Sequence, residues 1–469
     1  MQPSMFNVRV PLPGNGDVFL LNTFSDAQLV VSHDVTALLD RLTARPADAA
    51  ALSASEREAA ETLTAHGFLV PDLEAERRSL EAYFTNIRED RGQLRVTVLT
   101  TLQCNFACDY CYQGDHGDYN QHAAKMSLDT AARVAAWVES KLDDNRPERF
   151  ALTFFGGEPL LNQPVMVYLA ERLWAATRAR DVRTNVNIIT NGLLLTPDLV
   201  DRLLPFGLTG VKVTLDGDRE THNRMRPLRG GQGTFDRIIE NVRRVAGRVP
   251  VSIGGNFDAS SADSYPALLD FLREQEFASS ISKVSFKPVI KAPEPAGPKG
   301  LIPLTAVGAD GRALGATCMT SAGAGSATGV CDSCHFADEK MAFLREETKK
   351  RGFRTLDGVH MGPCEIHRSH AHTIGPDGSL YACPGFTGDL SHSTGHIDGR
   401  QDGSRQGTAA RFASLAAWKE CADCAFIPVC AGGCSTAAHA ELGDLAKPNC
   451  HKTSFEAGVR SLALDAAAV

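Results

Sequence analysis

Thr100-Thr101-Leu102-Gln103-Cys104-Asn105-Phe106-Ala107-Cys108-Asp109-Tyr110-Cys111 decides how the rest of this chain reads. It follows directly on an apolar run of strand length, residues 94–100. Three thiols spaced C-x3-C-x2-C can hold three irons of a [4Fe–4S] cluster, leaving the fourth iron without a protein ligand. An open iron is a place for chemistry and not only for electron storage. Structural zinc is a second reading of such a triplet, although zinc usually takes a fourth Cys or His. Redox-active or simply buried thiols are a third.

Working outward, apolar runs at 94–100, 150–155, 186–190, 210–215, 249–256 and 283–289 alternate with amphipathic stretches at 127–142, 165–177, 198–204, 235–246 and 264–276. Alternating strands and helices predict a parallel sheet with right-handed crossovers. In parallel barrels the reactive residues lie at the C-terminal strand ends. The cysteine triplet follows the first strand, as that rule requires. Gly156-Gly157-Glu158-Pro159 follows the second, Thr190-Asn191-Gly192 the third, and Thr214-Leu215-Asp216-Gly217 the fourth.

These motifs together resemble the radical SAM enzymes. The resemblance implies an α/β fold, a partial (β/α)6 TIM-like barrel over about residues 90–290. In that family the open iron chelates the amino and carboxylate groups of S-adenosyl-L-methionine (SAM), and an electron from the cluster releases a 5′-deoxyadenosyl radical, so the cofactor carries the hard chemistry. The motif residues then take implied roles. Gly156, Gly157 and Glu158 meet the methionyl amino group, with Thr190 and Asn191 at the next strand end. Thr214 and Arg226 meet the SAM carboxylate, to which the planar fork of arginine is suited; a surface ion pair is the ordinary alternative for Arg226. Tyr110 is placed beside the adenine and Asn256 beside the ribose or adenine. His222 reads as a structural hydrogen-bonding residue.

A second cysteine pattern closes the chain. Cys364, Gly378 and Cys383 are followed by Cys421-x2-Cys424-x5-Cys430-x3-Cys434 and then Cys450. This resembles the seven-cysteine SPASM pattern and implies a cysteine-rich SPASM domain over 361–455, with a tail at 456–469. The resemblance implies two auxiliary [4Fe–4S] clusters, three clusters in all. Cys421, Cys424, Cys430 and Cys450 would serve one, and Cys364, Cys383 and Cys434 the other. The last iron of the latter is either open to substrate or bound by a residue from elsewhere, the candidates being Cys318, Cys331, Cys334, His367, His370 and His372. Cys318, Cys331 and Cys334 lie in a Gly/Ala/Pro-rich connection with a helix, 291–360. They are the candidates for a catalytic thiol, for extra metal ligation, or for no direct role.

Residues 1–75 contain no cysteine and read as a small α+β domain. A strand pair at 6–10 and 18–21 precedes helical stretches at 35–42 and 55–66. The order resembles, at the level of pattern, the winged-helix element with which many peptide maturases capture a leader peptide by strand addition. A packing domain is the alternative.

The chain has 469 residues, 43% of them hydrophobic, enough for two or three domains. Its net charge of −8 and lack of a basic block give no nucleic-acid footprint. No apolar run suggests a membrane span and no signal peptide is evident, so the expected location is cytoplasmic. Thirteen cysteines there favour metal ligation over disulfides.

The domain order resembles the radical SAM/SPASM peptide maturases, relatives of the anaerobic sulfatase-maturing enzymes. The implied substrate is a ribosomally synthesised precursor peptide, modified by hydrogen abstraction to a thioether, a carbon–carbon crosslink or another altered side chain. A flavodoxin or ferredoxin is the implied reductant. The sulfatase-maturing reading is weakened by Pro384, which stands where that group carries a basic Asp. A multi-cluster electron-transfer protein and a zinc-stabilised peptide-binding module are the non-enzyme alternatives.

Overall fold

The computed structural model describes residues 1–14, 16–111, 124–290, 332–356, 358–360, 362–400, 403–421 and 423–467, with the side chains of 332–335 left aside. Cys318 and Cys331, and the Cys334 side chain, therefore lie outside the described residues. No helix among those described is long and apolar enough to cross a membrane.

The N-terminal region runs β1 (Gln2–Pro3), β2 (Asn7–Pro11), β3 (Val18–Asn22), β4 (Gln28–Val31), α1 (His33–Ala44), α2 (Ala54–Ala65), β5 (Leu69–Val70) and α3 (Leu73–Glu89). Strands β2, β3 and β4 form an antiparallel sheet with β3 at its centre, while β1 pairs with β5. Helix α2 starts at a capping box between Ser53 and Glu56. Strand β3 reads as an unbroken apolar run because both of its faces are covered. Leu20 packs with Leu38, Leu39, Leu63 and Phe68. Phe19 and Leu21 point the other way, onto Phe426 and Val459 of the C-terminal region.

Strands β1 and β4 and helix α3 were not anticipated from the sequence. Strand β4 is short and half exposed, so its apolar signal is weak. Helix α3 carries Leu80 and Phe84 one turn apart, and both pack with Phe6 and Ile427.

Six parallel strands follow in order across one sheet: β6 (Gln93–Leu99), β7 (Arg149–Phe155), β8 (Arg183–Thr190), β9 (Leu208–Thr214), β10 (Val251–Phe257) and β11 (Ile281–Pro288). They are joined by α4 (Leu128–Asn145), α5 (Gln163–Arg178), α6 (Pro197–Leu203), α7 (Arg219–Met225), α8 (Phe235–Val245) and α9 (Tyr265–Arg273). The helices begin where the chain offers caps: Ser127 accepts from the Thr130 amide, and Thr196 from the Leu199 amide with Pro197 next in line. Alternate strand residues such as Val96, Leu152, Ile188, Val211 and Ile253 enter the core shared with the helices. The intervening residues face the other side, where a ligand can lie.

The C-terminal region comprises α10 (Asp332–Lys350), β12 (Ala371–Ile374), β13 (Ser379–Tyr381), β14 (Gly395–His396), α11 (Gly403–Ala413), α12 (Ile427–Cys430), α13 (Ser435–Leu442) and α14 (Lys452–Ala467). Strand β12 pairs parallel to β6, with Ala371 opposite Arg95, so the sheet grows to nine strands through its first edge. This extension, too, was not anticipated. Its three strands are only two to four residues long.

Candidate functional site

The cysteine loop sits on top of the Gly156-Gly157 turn. The Gly157 amide donates to the Thr101 carbonyl at 3.0 Å, and the Glu158 amide to the Gln103 carbonyl at 2.8 Å. A Cβ on Gly156, whose φ is +137°, would stand 2.3 Å from the Thr101 oxygen; one on Gly157 would stand 2.2 Å from the Gln103 oxygen. The glycines thus serve the close approach of two backbones. The tight fit fixes the loop that carries Cys104, Cys108 and Cys111.

Glu158 is fully buried. Its carboxylate accepts from the Asn191 amide at 2.7 Å, the Thr190 hydroxyl at 2.7 Å and the Leu160 amide at 3.0 Å. It therefore ties the end of β7 to the end of β8. Burial raises its pKa, while these donors and the more distant Arg226 charge oppose the shift. The Asn191 side chain donates to Asn105 Oδ1 at 2.7 Å, reaching back to the cysteine loop.

A second buried cluster lies at the ends of β9 and β10. Arg226 Nη1 donates to the Tyr110 hydroxyl and stands 3.3 Å from Asp216 Oδ2; Tyr110 donates to the same carboxylate. The Asn256 amide donates to Asp216 Oδ1 at 2.6 Å. Asp216, quoted from the sequence in the motif at the fourth strand end but given no role there, joins three residues that were given one: Tyr110, Arg226 and Asn256. Its position directly after β9 was the available signal. His222 Nδ1 accepts from the Asp216 amide at 3.1 Å, and its Nε2 lies 3.0 Å from the Thr234 hydroxyl, which donates to the Arg226 carbonyl. An acceptor Nδ1 calls for the neutral ring protonated on Nε2, and burial holds its pKa well below the usual value. His222 braces the turn. Thr214, on β9, is the neighbour of Gly254 in the sheet and lies on the same face.

The thiols gather in three sets. Burial pushes Cys104 up to about 12 and Cys108 up to about 11, and their own neighbouring thiols add to this. Cys364, Cys383 and Cys434 act electrostatically on one another. Cys421, Cys424, Cys430 and Cys450 do the same. Left-handed Gly432 and Gly433 carry the chain between Cys430 and Cys434, and a Cβ on Gly433 would stand 1.9 Å from the Asn449 oxygen, next to Cys450. Of the histidines considered as ligands, His372 packs edge-on against Trp137 at 5.0 Å and feels Lys141, as does His370. His367 lies by Phe84 and Arg88.

Among the described residues no three His, Cys, Asp or Glu side chains converge tightly enough to grip a single ion. The chemistry around the sulfurs nevertheless suits iron–sulfur ligands. In all three sets an amide two residues on points at a sulfur. Phe106 donates to Cys104 and Gly385 to Cys383, each at 3.4 Å. Ile366, Gly432 and Lys452 serve Cys364, Cys430 and Cys450 in the same way. Such donors favour the thiolate, the form that binds iron, and tune a bound cluster. Near the first set, Arg226 Nε is buried with no partner among the described residues, a donor suited to a carboxylate.

Residues 98–257 match the Radical SAM superfamily, so this stretch is a radical SAM domain. GTP 3',8-cyclase of Synechococcus sp. (strain WH7803) is 32% identical over 178 residues, 36% of this chain and 48% of that protein. Sporulation killing factor maturation protein SkfB of Bacillus subtilis (strain 168) is 27% identical over 172 residues, 36% of each chain. The chain thus spans less than half the length of these relatives. Among solved structures, native anSMEcpe with bound AdoMet aligns at a TM-score of 0.57 and 15% identity, over 80% of this chain and 99% of that one, a likeness of fold.

Proposed function

We propose that this radical SAM protein modifies a ribosomally synthesised precursor peptide. A [4Fe–4S] cluster on Cys104, Cys108 and Cys111, with SAM on its open iron, would supply the hydrogen-abstracting radical. Glu158, held by Thr190 and Asn191, offers a fixed negative charge to the SAM amino group. Arg226 offers its unpartnered Nε to the SAM carboxylate, with Thr214 alongside, while Asp216 and Tyr110 fix the guanidinium. Asn256 and Tyr110 border the space for the nucleoside. In the SPASM reading, Cys421, Cys424, Cys430 and Cys450 would hold one auxiliary cluster and Cys364, Cys383 and Cys434 another.

One observation carries the peptide reading: the N-terminal sheet ends in an edge strand, β4, whose Val30 is 48% exposed. An edge strand is a template on which an extended peptide can add a strand. The likeness of the radical SAM domain to a killing-factor maturation protein agrees with it. In the test, the gene is co-expressed under anaerobic conditions with each short open reading frame that flanks it, and the peptides are weighed. A mass change that requires Cys104, Cys108 and Cys111 supports the proposal; unchanged peptides throughout, with active SAM cleavage, would refute it.

A further inference from the structure

Three lysines stand on the face of the sheet turned away from the helices. Lys212 on β9 and Lys283 on β11 flank Ser252 in one row across the strands, about 10 Å apart at the backbone. Lys287 lies beside Asn256 in the row nearest the strand ends. The orientation is fixed by the neighbouring glycines. A Cβ on Gly255 would strike Tyr265 of α9 and Phe286, so Gly255 faces the helices. Gly254 faces the opposite side, and a Cβ there would stand 2.4 Å from Lys212 Cε. The missing side chain of Gly254 is the channel through which the Lys212 stem runs along the sheet. Thr214, Gly254 and Ser285 form the row between the lysines.

This face is built for a negative charge and none is supplied from the described chain. The electrostatic neighbours of Lys212 are the other two ammonium groups, and among the described residues no carboxylate pairs with any of the three. Of the acids near the strand ends, Asp216 is taken by Arg226 and Tyr110, Glu158 by Asn191, Thr190 and Leu160, and Asp258 accepts from the Ser260 and Ser261 hydroxyls. Burial, then Lys287 and Lys283, push Lys212 down to about 8. Holding three like charges together costs free energy unless an anion joins them.

The geometry points to a substrate-anion site formed by Lys212, Lys283 and Lys287, which takes a carboxylate of the peptide: an Asp or Glu side chain near the modified residue, or the C-terminus. The assignment rests on the peptide-maturase reading and deepens it. An acidic side chain held on β9 and β11 would bring a neighbouring residue to the strand ends where Asn256 borders the nucleoside space.

The test is lysine footprinting of the full-length, iron-loaded protein with limiting acetic anhydride, read by mass spectrometry. The probes are SAM, inorganic phosphate, and the capped peptide Gly-Gly-Glu-Glu-Gly-Gly with its Gln-Gln counterpart. The account expects the Glu peptide, with SAM present, to slow acetylation of Lys212 and Lys283 at least threefold, with no slowing by the Gln peptide. Equal labelling with both peptides would overturn it. Protection by SAM alone would assign the lysines to SAM's own carboxylate, and protection by phosphate alone to a phosphate ester; either overturns it. A precursor modified equally well after every carboxylate is converted to an amide would remove this site and leave the maturase reading intact. Protection by the Glu peptide with no precursor ever modified would keep the site and remove the maturase reading.

Discussion

The Asn191 backbone amide donates to the Glu158 carboxylate at 2.7 Å and so locks together the ends of two neighbouring strands. Glu158 has two duties in this account: it holds the strand ends in register and presents charge to SAM. Glu158→Gln separates them. The amide must turn a donor toward one of three buried donors, a mismatch worth about 1–3 kcal/mol. Iron content should match wild type, the melting temperature should fall by several degrees, and SAM affinity should drop roughly tenfold. Wild-type SAM affinity would remove Glu158 from the binding site.

Gly157→Ala should damage the cluster without touching a ligand. The new methyl group would stand 2.2 Å from the Gln103 oxygen, so the cysteine loop must lift. The expected outcome is loss of about four irons, one cluster's worth, with the C-terminal thiols unaffected. Full iron and full SAM cleavage would show that the loop tolerates displacement.

The N-terminal region is bound into the molecule more closely than a separate recognition domain needs. Thr23 donates to the Ala425 carbonyl, Arg77 meets Asp423 at 2.7 Å, and the Tyr83 hydroxyl donates to the Pro428 carbonyl at 3.2 Å. All three contacts grip the loop between Cys421 and Cys430. Deleting residues 1–89 should therefore cost iron as well as peptide binding. Val30→Glu on exposed β4 should keep wild-type iron and melting temperature while weakening precursor binding at least tenfold by anisotropy. Undiminished binding would point to a purely packing role for this region.

Lys212 gives a pH dependence whose sign can be fixed. Its folded-state pKa, about 8, lies below the unfolded value near 10.4. The native chain therefore gains stability relative to the unfolded one as pH rises from about 8 to 10, and loses it on the way down. Below about 8 the ammonium is charged and ready for an anion. Acetylation of Lys212 should show a midpoint near pH 8, and affinity for the acidic peptide should fall as pH passes above it. A midpoint near 10 would contradict the crowding of the three lysines.

Much of this was legible from the sequence because long buried strands and ligand motifs leave strong local signals. The six parallel strands, their order and the loop Cys104–Cys111 are of that kind. Strand β4, β12 to β14 and helix α3 were missed since their identity is set by packing partners distant in the chain. Asp216 stood in a quoted motif, but its role was missed for the same reason: only the fold brings Tyr110, Arg226 and Asn256 around it. The three lysines were invisible for a related reason, since their shared face depends on strand register. The glycines of Gly156-Gly157 were expected to meet SAM; the structure adds that they also admit the cysteine loop itself.

The account stands or falls on the first cysteine set. Cys104, Cys108 and Cys111 changed together to Ala should lower iron from about twelve per chain to about eight, and the reduced protein should form no 5′-deoxyadenosine from SAM. Anaerobically reconstituted wild type, assayed in parallel with dithionite, should form it. Undiminished 5′-deoxyadenosine from the triple variant would contradict the assignment.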